Sequence, residues 1–230
     1  MKPAVIAGVL MALSGAPGLG NQFWSDWDGS DWPDALGYTR SWGNLQGPHQ
    51  GGANRTLENG ILTYDSLYDP GVWDSYYMEN FGPMDPGPNE IFISEWRLKV
   101  DVVNGDGDPG IGLKSDDGWM LGLMYTEDHI RSVFEGFLEI PFAPHVWHDY
   151  QVVSSDMRDY DLFIDGALAH QGTFEQIVPG SYVGWGEGSQ SASSLHHWDY
   201  FRFGVVSPEP SAFQLVILML LIVWRGARRG

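Results

Sequence analysis

Through the middle of the chain, apolar and polar residues change places at every second position. In EWRLKVDV, Trp96, Leu98, Val100 and Val102 fall on one side, and Arg97, Lys99 and Asp101 on the other. Trp119, Leu121, Leu123 and Tyr125 repeat the period. A period of two belongs to a strand with one buried face. Tyr160 to His170 reads YDLFIDGALAH, with Asp165-Gly166 between two apolar runs. Asp-Gly in that setting predicts a tight hairpin. Trp198 to Phe203, WDYFRF, reads as a closing strand with aromatics on both faces. No stretch of the body, residues 21–206, shows the spacing of an amphipathic helix. The pattern predicts an all-β fold, a two-sheet antiparallel β-sandwich or jelly roll.

Composition supports this. Thirty glycines and 14% aromatics suit many short strands joined by tight turns. At 230 residues the chain fits one large domain or two small ones and can bury a real core. A formal charge of −18 repels phosphate backbones and argues against nucleic acid as a partner. With no cysteine there are no disulfides and no thiolate metal sites.

The two ends differ from the body. Lys2, the apolar run Ala4 to Leu13 and the small-x-small site Gly18-Leu19-Gly20 form the pattern of an N-terminal signal peptide, residues 1–20. A buried strand or helix is the alternative. Ala212 to Trp224 is apolar apart from Gln214. As a hydrophobic helix it is about 20 Å long, against about 30 Å of hydrocarbon in a bilayer. Arg225, Arg228 and Arg229 follow and would hold that end in the cytoplasm. A terminal core helix is the alternative here. The tail, residues 207–230, resembles the PEP-CTERM sorting signal of exported bacterial proteins. Pro208-Glu209-Pro210, the apolar segment and the arginine cluster occur in that family's order. The resemblance implies handling by an exosortase, a membrane cysteine protease that cuts near the motif. It also implies delivery to the cell surface or extracellular matrix after transient anchoring in the inner membrane.

A second resemblance lies in the body. Trp147-His148-Asp149-Tyr150-Gln151-Val152-Val153, followed by Asp161-Leu162-Phe163-Ile164-Asp165-Gly166, is similar to the laminin-G / concanavalin-A-like sandwich. That superfamily holds lectins, glycan-binding modules, adhesion domains and some glycosidases, so fold alone does not choose a function.

Candidate sites are few. Asn104-Gly105-Asp106-Gly107-Asp108 sets oxygen donors at alternate positions, as calcium favours. Asp106 and Asp108 are the candidate ligands, and a polar hairpin loop is the other reading. Trp24, Trp27 and Trp32 in FWSDWDGSDW alternate with acids and could stack on sugar faces, or pack into the core. Glu135 and Glu139, placed on one strand, would stand about 13 Å apart. Glycosidase carboxylates stand roughly 5–10 Å apart. No E-x-D-x-x-E pattern of the sandwich glucanases occurs. His196 and His197, adjacent on a strand, would face opposite ways. His145 and His148 read as sheet histidines. Asn54-Arg55-Thr56 matches a glycosylation sequon. The sequence therefore points to an exported surface or matrix protein with a non-catalytic, glycan-binding sandwich. The alternatives are a secreted polysaccharide hydrolase or lyase of the same fold and a purely structural matrix protein.

Overall fold

The computed structural model describes residues 23–44, 54–67, 72–79, 84–105, 109–135, 138–188 and 192–207. In chain order the strands are β1 (Phe23–Trp27), β2 (Thr39–Asn44), β3 (Asn54–Glu58), β4 (Ile61–Asp65), β5 (Val72–Glu79), β6 (Ile91–Asn104), β7 (Gly110–Lys114) and β8 (Trp119–Tyr125). They continue with β9 (His129–Ser132), β10 (Glu139–Pro141), β11 (His148–Ser154), β12 (Asp159–Ile164), β13 (Ala167–Thr173), β14 (Glu175–Gln176), β15 (Tyr182–Glu187) and β16 (Ser193–Val206). One short 3-10 helix, Pro33–Leu36, is the sole helix among the described residues. No helix among them is long and apolar enough to cross a membrane. The expected signal peptide, the sorting motif Pro208, Glu209 and Pro210, the apolar segment and Arg225, Arg228 and Arg229 lie outside the described residues.

The strands form two eight-stranded sheets within the compact unit Gln22–Val206. Sheet A runs β13-β12-β11-β6-β16-β4-β3, with β1 also paired to β16. Sheet B runs β10-β9-β8-β7-β15-β5-β2, with β14 paired to β8. All pairings are antiparallel, so the expected sandwich is the observed fold. The alternation along β6 holds: Trp96, Leu98 and Val100 are buried, and Arg97, Lys99 and Asp101 face outward. Asp165 and Gly166 close the β12–β13 hairpin, both at positive φ (50° and 76°). Such a turn needs residues that tolerate the left-handed region.

Aromatics hold the sheets together. Trp185 of β15 stands at their centre, with ring centroids 5.0 Å from Trp27, 5.0 Å from Trp198 and 5.3 Å from Phe201. Each such ring buries roughly 150–250 Å² and prefers the offset or tilted packing seen here. β16 brings three aromatics inward by a local irregularity. Its register against β6 slips between Trp198 and Tyr200, so Trp198, Phe201 and Phe203 are all buried. A strict period of two would have turned Phe201 outward.

Candidate functional site

The outer face of sheet A brings together acidic, basic, imidazole and phenol side chains. It is built on the three middle strands. β6 presents Glu95, Arg97, Lys99 and Asp101, and β11 presents Asp149 and Gln151. β16 presents His197, Tyr200 and Arg202. Register aligns Asp149, Arg97 and Tyr200 in one row and Gln151, Glu95 and Arg202 in the next. His197 lies across from Lys99. The slip at β16 adds Asp199 beside Tyr200, so two consecutive polar side chains lie on this face. Bulges of this kind re-aim side chains and recur beside active sites.

Arg97 is the hub. Its Nη1 donates to Asp199 Oδ2 at 3.2 Å, and its Nε lies 3.7 Å from Asp149 Oδ1. The two guanidinium nitrogens are about 2.3 Å apart, given C–N bonds of about 1.33 Å. The two carboxylates therefore stand no more than about 9 Å apart, inside the upper limit of about 9.5 Å for glycosidase carboxylates. Both are open to solvent, with side-chain exposures of 57% for Asp149 and 34% for Asp199. Tyr200 donates its hydroxyl to Asp149 at 3.2 Å. Burial, then the charges of Asp149 and Glu95, push the Tyr200 hydroxyl above the usual tyrosine range, so it stays protonated. Trp147 flanks the hub, with the Arg97 guanidinium 5.6 Å from its ring centroid.

A second group adjoins it. Asp101 accepts from Lys99 at 2.8 Å and lies 2.9 Å from His197 Nε2. Burial alone would raise the Asp101 carboxyl, but hydrogen bonds from Lys99 and His197 outweigh it and hold it below its ordinary value. His197 is pushed down, chiefly by burial, with the Asp101 contact opposing. Thr63 Oγ1 meets its Nδ1 at 2.8 Å.

The expected site residues fall elsewhere. Trp27 is 1% exposed and packs on Trp185, so it belongs to the core and offers no face to a sugar. Its neighbours Asp26 and Asp28 are exposed, the alternation of a one-sided strand. Trp32 is partly buried beneath the Arg55 guanidinium, 4.9 Å from its ring centroid. Trp24 lies on β1, but its side chain is outside the described residues. So are Asp106 and Asp108, the expected calcium ligands. Among the described residues no group of three His, Asp or Glu could hold a metal ion.

Glu135 and Glu139 do not share a strand. Glu135 sits in the turn after β9 and accepts from Tyr160 Oη at 2.7 Å and from the Thr173 amide at 2.6 Å. Glu139 sits on β10 and meets Arg131 at 3.3 Å. His196 and His197 do face opposite ways. His196 is fully buried and stacks on Tyr64 with centroids 4.9 Å apart. His148 is buried, with Nδ1 2.6 Å from Asp165, and His145 is exposed. The Asp149–Arg97–Asp199 cluster was not among the expected sites. The outward position of Arg97 was legible in the alternation, whereas the slip that exposes Asp199 has no signature in WDYFRF.

No protein-family model matches the chain, and no curated protein matches it. Solved structures do. An endo-1,3-beta-glucanase from Streptomyces sioyaensis superposes with a TM-score of 0.55 at 14% identity, covering 85% of this chain and all (100%) of that one. A glycosyl hydrolase family protein from Mycobacterium fortuitum superposes with a TM-score of 0.50 at 12% identity, covering 80% of this chain and 100% of that one. The chain spans only 16% of a sialidase that it also overlaps, at a TM-score of 0.45 and 13% identity. At these identities the likeness defines a fold alone, the two-sheet antiparallel β-sandwich. It corrects the expectation of a non-catalytic domain, because the neighbours that share this sandwich are named as enzymes that act on glycans.

Proposed function

We propose that this protein is a polysaccharide hydrolase of the sandwich fold, acting at the outer face of sheet A. One observation carries the reading: Asp149 and Asp199 flank Arg97 within about 9 Å of each other, a separation compatible with paired glycosidase carboxylates. Trp147 and Tyr200 border them and can stack on sugar rings. Asp199 makes the shorter, charge-assisted contact with Arg97, and Asp149 accepts from the Tyr200 hydroxyl. One carboxyl group of the pair serves as proton donor and the other as base or nucleophile. Hydrolysis then adds water across the glycosidic C–O bond. The proton of the acid goes to the leaving oxygen, and the proton from water is taken up by the other carboxylate.

The test is a panel of polysaccharides assayed for new reducing ends and for unsaturated products. Asp149→Asn and Asp199→Asn should each lower reducing-end release by about 10²–10⁴ while circular dichroism stays unchanged. Unsaturated products would move the reaction to elimination. No product from any polymer, or full activity in both variants, would overturn the reading.

We also propose that residues 1–20 direct export and that the Pro208-Glu209-Pro210 tail is an exosortase substrate, which delivers the sandwich to the surface or matrix. What supports this is the order of motif, apolar run and arginines in the sequence. Calcium at Asp106 and Asp108 is proposed on the alternating oxygen donors of that loop, and calorimetry on Asp106→Ala/Asp108→Ala against the parent protein tests it.

A further inference from the structure

The charge layout of the sheet A face selects among polysaccharides. Every Lys and Arg on its three middle strands already meets a carboxylate. Arg97 meets Asp149 and Asp199, Lys99 meets Asp101, and Arg202 Nε meets Glu95 Oε2 at 2.6 Å. The flanking strands add carboxylates to this face. Register puts Asp26 of β1 beside Arg202, Asp65 of β4 beside Leu195, and Asp161 of β12 beside Val153. β1, β4 and β12 carry no Lys or Arg, and Arg55 of the next strand, β3, turns inward to Asp74. The surrounding field has the same sign. Of the chain's 30 acidic residues only Glu209 lies outside residues 21–207, whereas Lys2, Arg225, Arg228 and Arg229 of its 12 basic ones do. The body is thus more acidic than the chain's −18 indicates.

The aromatic rings act in the same direction. Trp147 and Tyr200 each draw a guanidinium, at 5.6 Å and 5.3 Å from the ring centroid, the attraction of a π face for positive charge. A uronate or sulfated polymer would bring anions against Asp149, Asp161 and Asp199, which like-charge repulsion opposes. A polymer bearing ammonium groups meets carboxylates and ring faces instead.

We propose that the polysaccharide taken by this face is a polycation: an amino-sugar polymer with free amines. The inference rests on the proposed hydrolase site and names its substrate class.

The test uses the full-length protein with three polymers: chitosan, its fully N-acetylated counterpart and polygalacturonate. Retention on each polymer and release of reducing ends are measured separately. Chitosan should be retained best. Its retention should fall at least tenfold as salt rises from about 0.01 M to about 1 M, which shortens the screening length from about 30 Å to about 3 Å. Asp26→Asn with Asp161→Asn should weaken chitosan retention about tenfold at low salt and leave retention of the acetylated polymer unchanged. Equal retention of chitosan and its acetylated form, or preference for polygalacturonate, overturns the inference. Release of reducing ends from the acetylated polymer alone overturns it too, while the hydrolase reading stands. Salt-sensitive retention of chitosan without any bond cleavage upholds the ligand class and removes the hydrolase.

Discussion

Removing the carboxylate of Asp74 should be among the costliest single changes in this protein. Asp74 of β5 is 0% exposed, accepts from Arg40 Nε at 2.8 Å and lies 3.5 Å from Arg55 Nε. Arg40 comes from β2 in sheet B, and Arg55 from β3 in sheet A. The carboxylate therefore ties the two sheets together at the edge where β2 and β3 lie. Arg55 is enclosed as well: its side chain is 13% exposed, it donates to Tyr76 Oη, and it lies over Trp32. Asp74→Asn leaves two guanidinium groups facing each other around a neutral amide. Breaking a buried pair from one side costs about 3–5 kcal/mol. Arg40→Met removes a partner that is 30% exposed and leaves Arg55 on Asp74, so it should cost only about 1 kcal/mol. Urea unfolding followed by tryptophan fluorescence reads both. With a slope of about 1–3 kcal/mol/M, Asp74→Asn should lower the midpoint by at least about 1 M. A drop for Asp74→Asn no larger than that for Arg40→Met would refute the reasoning.

Three further outcomes are expected. His196 is fully buried, and burial, with His197 next, holds its pKa well below the ordinary value. The unfolded chain therefore binds the proton first. Stability should be level above about pH 6.5 and fall by up to about 1.4 kcal/mol per pH unit below it. Urea midpoints at about pH 7, 6 and 5 test this, and a variant His196→Gln should lose that slope. Gly29 sits at φ 76°, and a Cβ there would come 1.9 Å from the Gly60 carbonyl oxygen. Gly29→Ala should lower stability by roughly 2 kcal/mol or more in thermal melts, and an unchanged melt would show that the Gly29 and Gly60 backbones can move apart. In a host with a matching exosortase, intact mass should show the loss of residues after about Pro210, and replacing Pro208-Glu209-Pro210 with alanines should block it.

Much of the sandwich was legible because alternation is a local signal. β6 could be read from eight letters, and the Asp165-Gly166 turn from two. The site was less legible because it is assembled across strands. Asp149 and Arg97 are 52 positions apart in number and become neighbours through register alone. The slip in β16 breaks the period of two at Asp199, so strict alternation misassigns the residues after it. Trp27 misleads for another reason. Its flanking acids suggest a sugar platform, yet Asp26 and Asp28 are exposed because Trp27 points the other way. The same holds for Glu135, where a turn interrupts what reads as a continuous strand.

The place of β16 has a consequence for how the molecule is made. This strand pairs with β6 along Ile91 to Asn104 on one side, and with β4 and then β1 on the other. The middle of sheet A therefore stays open until residues 193–206 have left the ribosome, when most of the polypeptide is already synthesised. Contacts that join positions about a hundred residues apart make closure slow. They also leave the facing edges of β6 and β4 without their partner in the meantime. Nascent chains stalled before residue 193 should be protease-sensitive throughout sheet A, and full protection should arrive in a single late step.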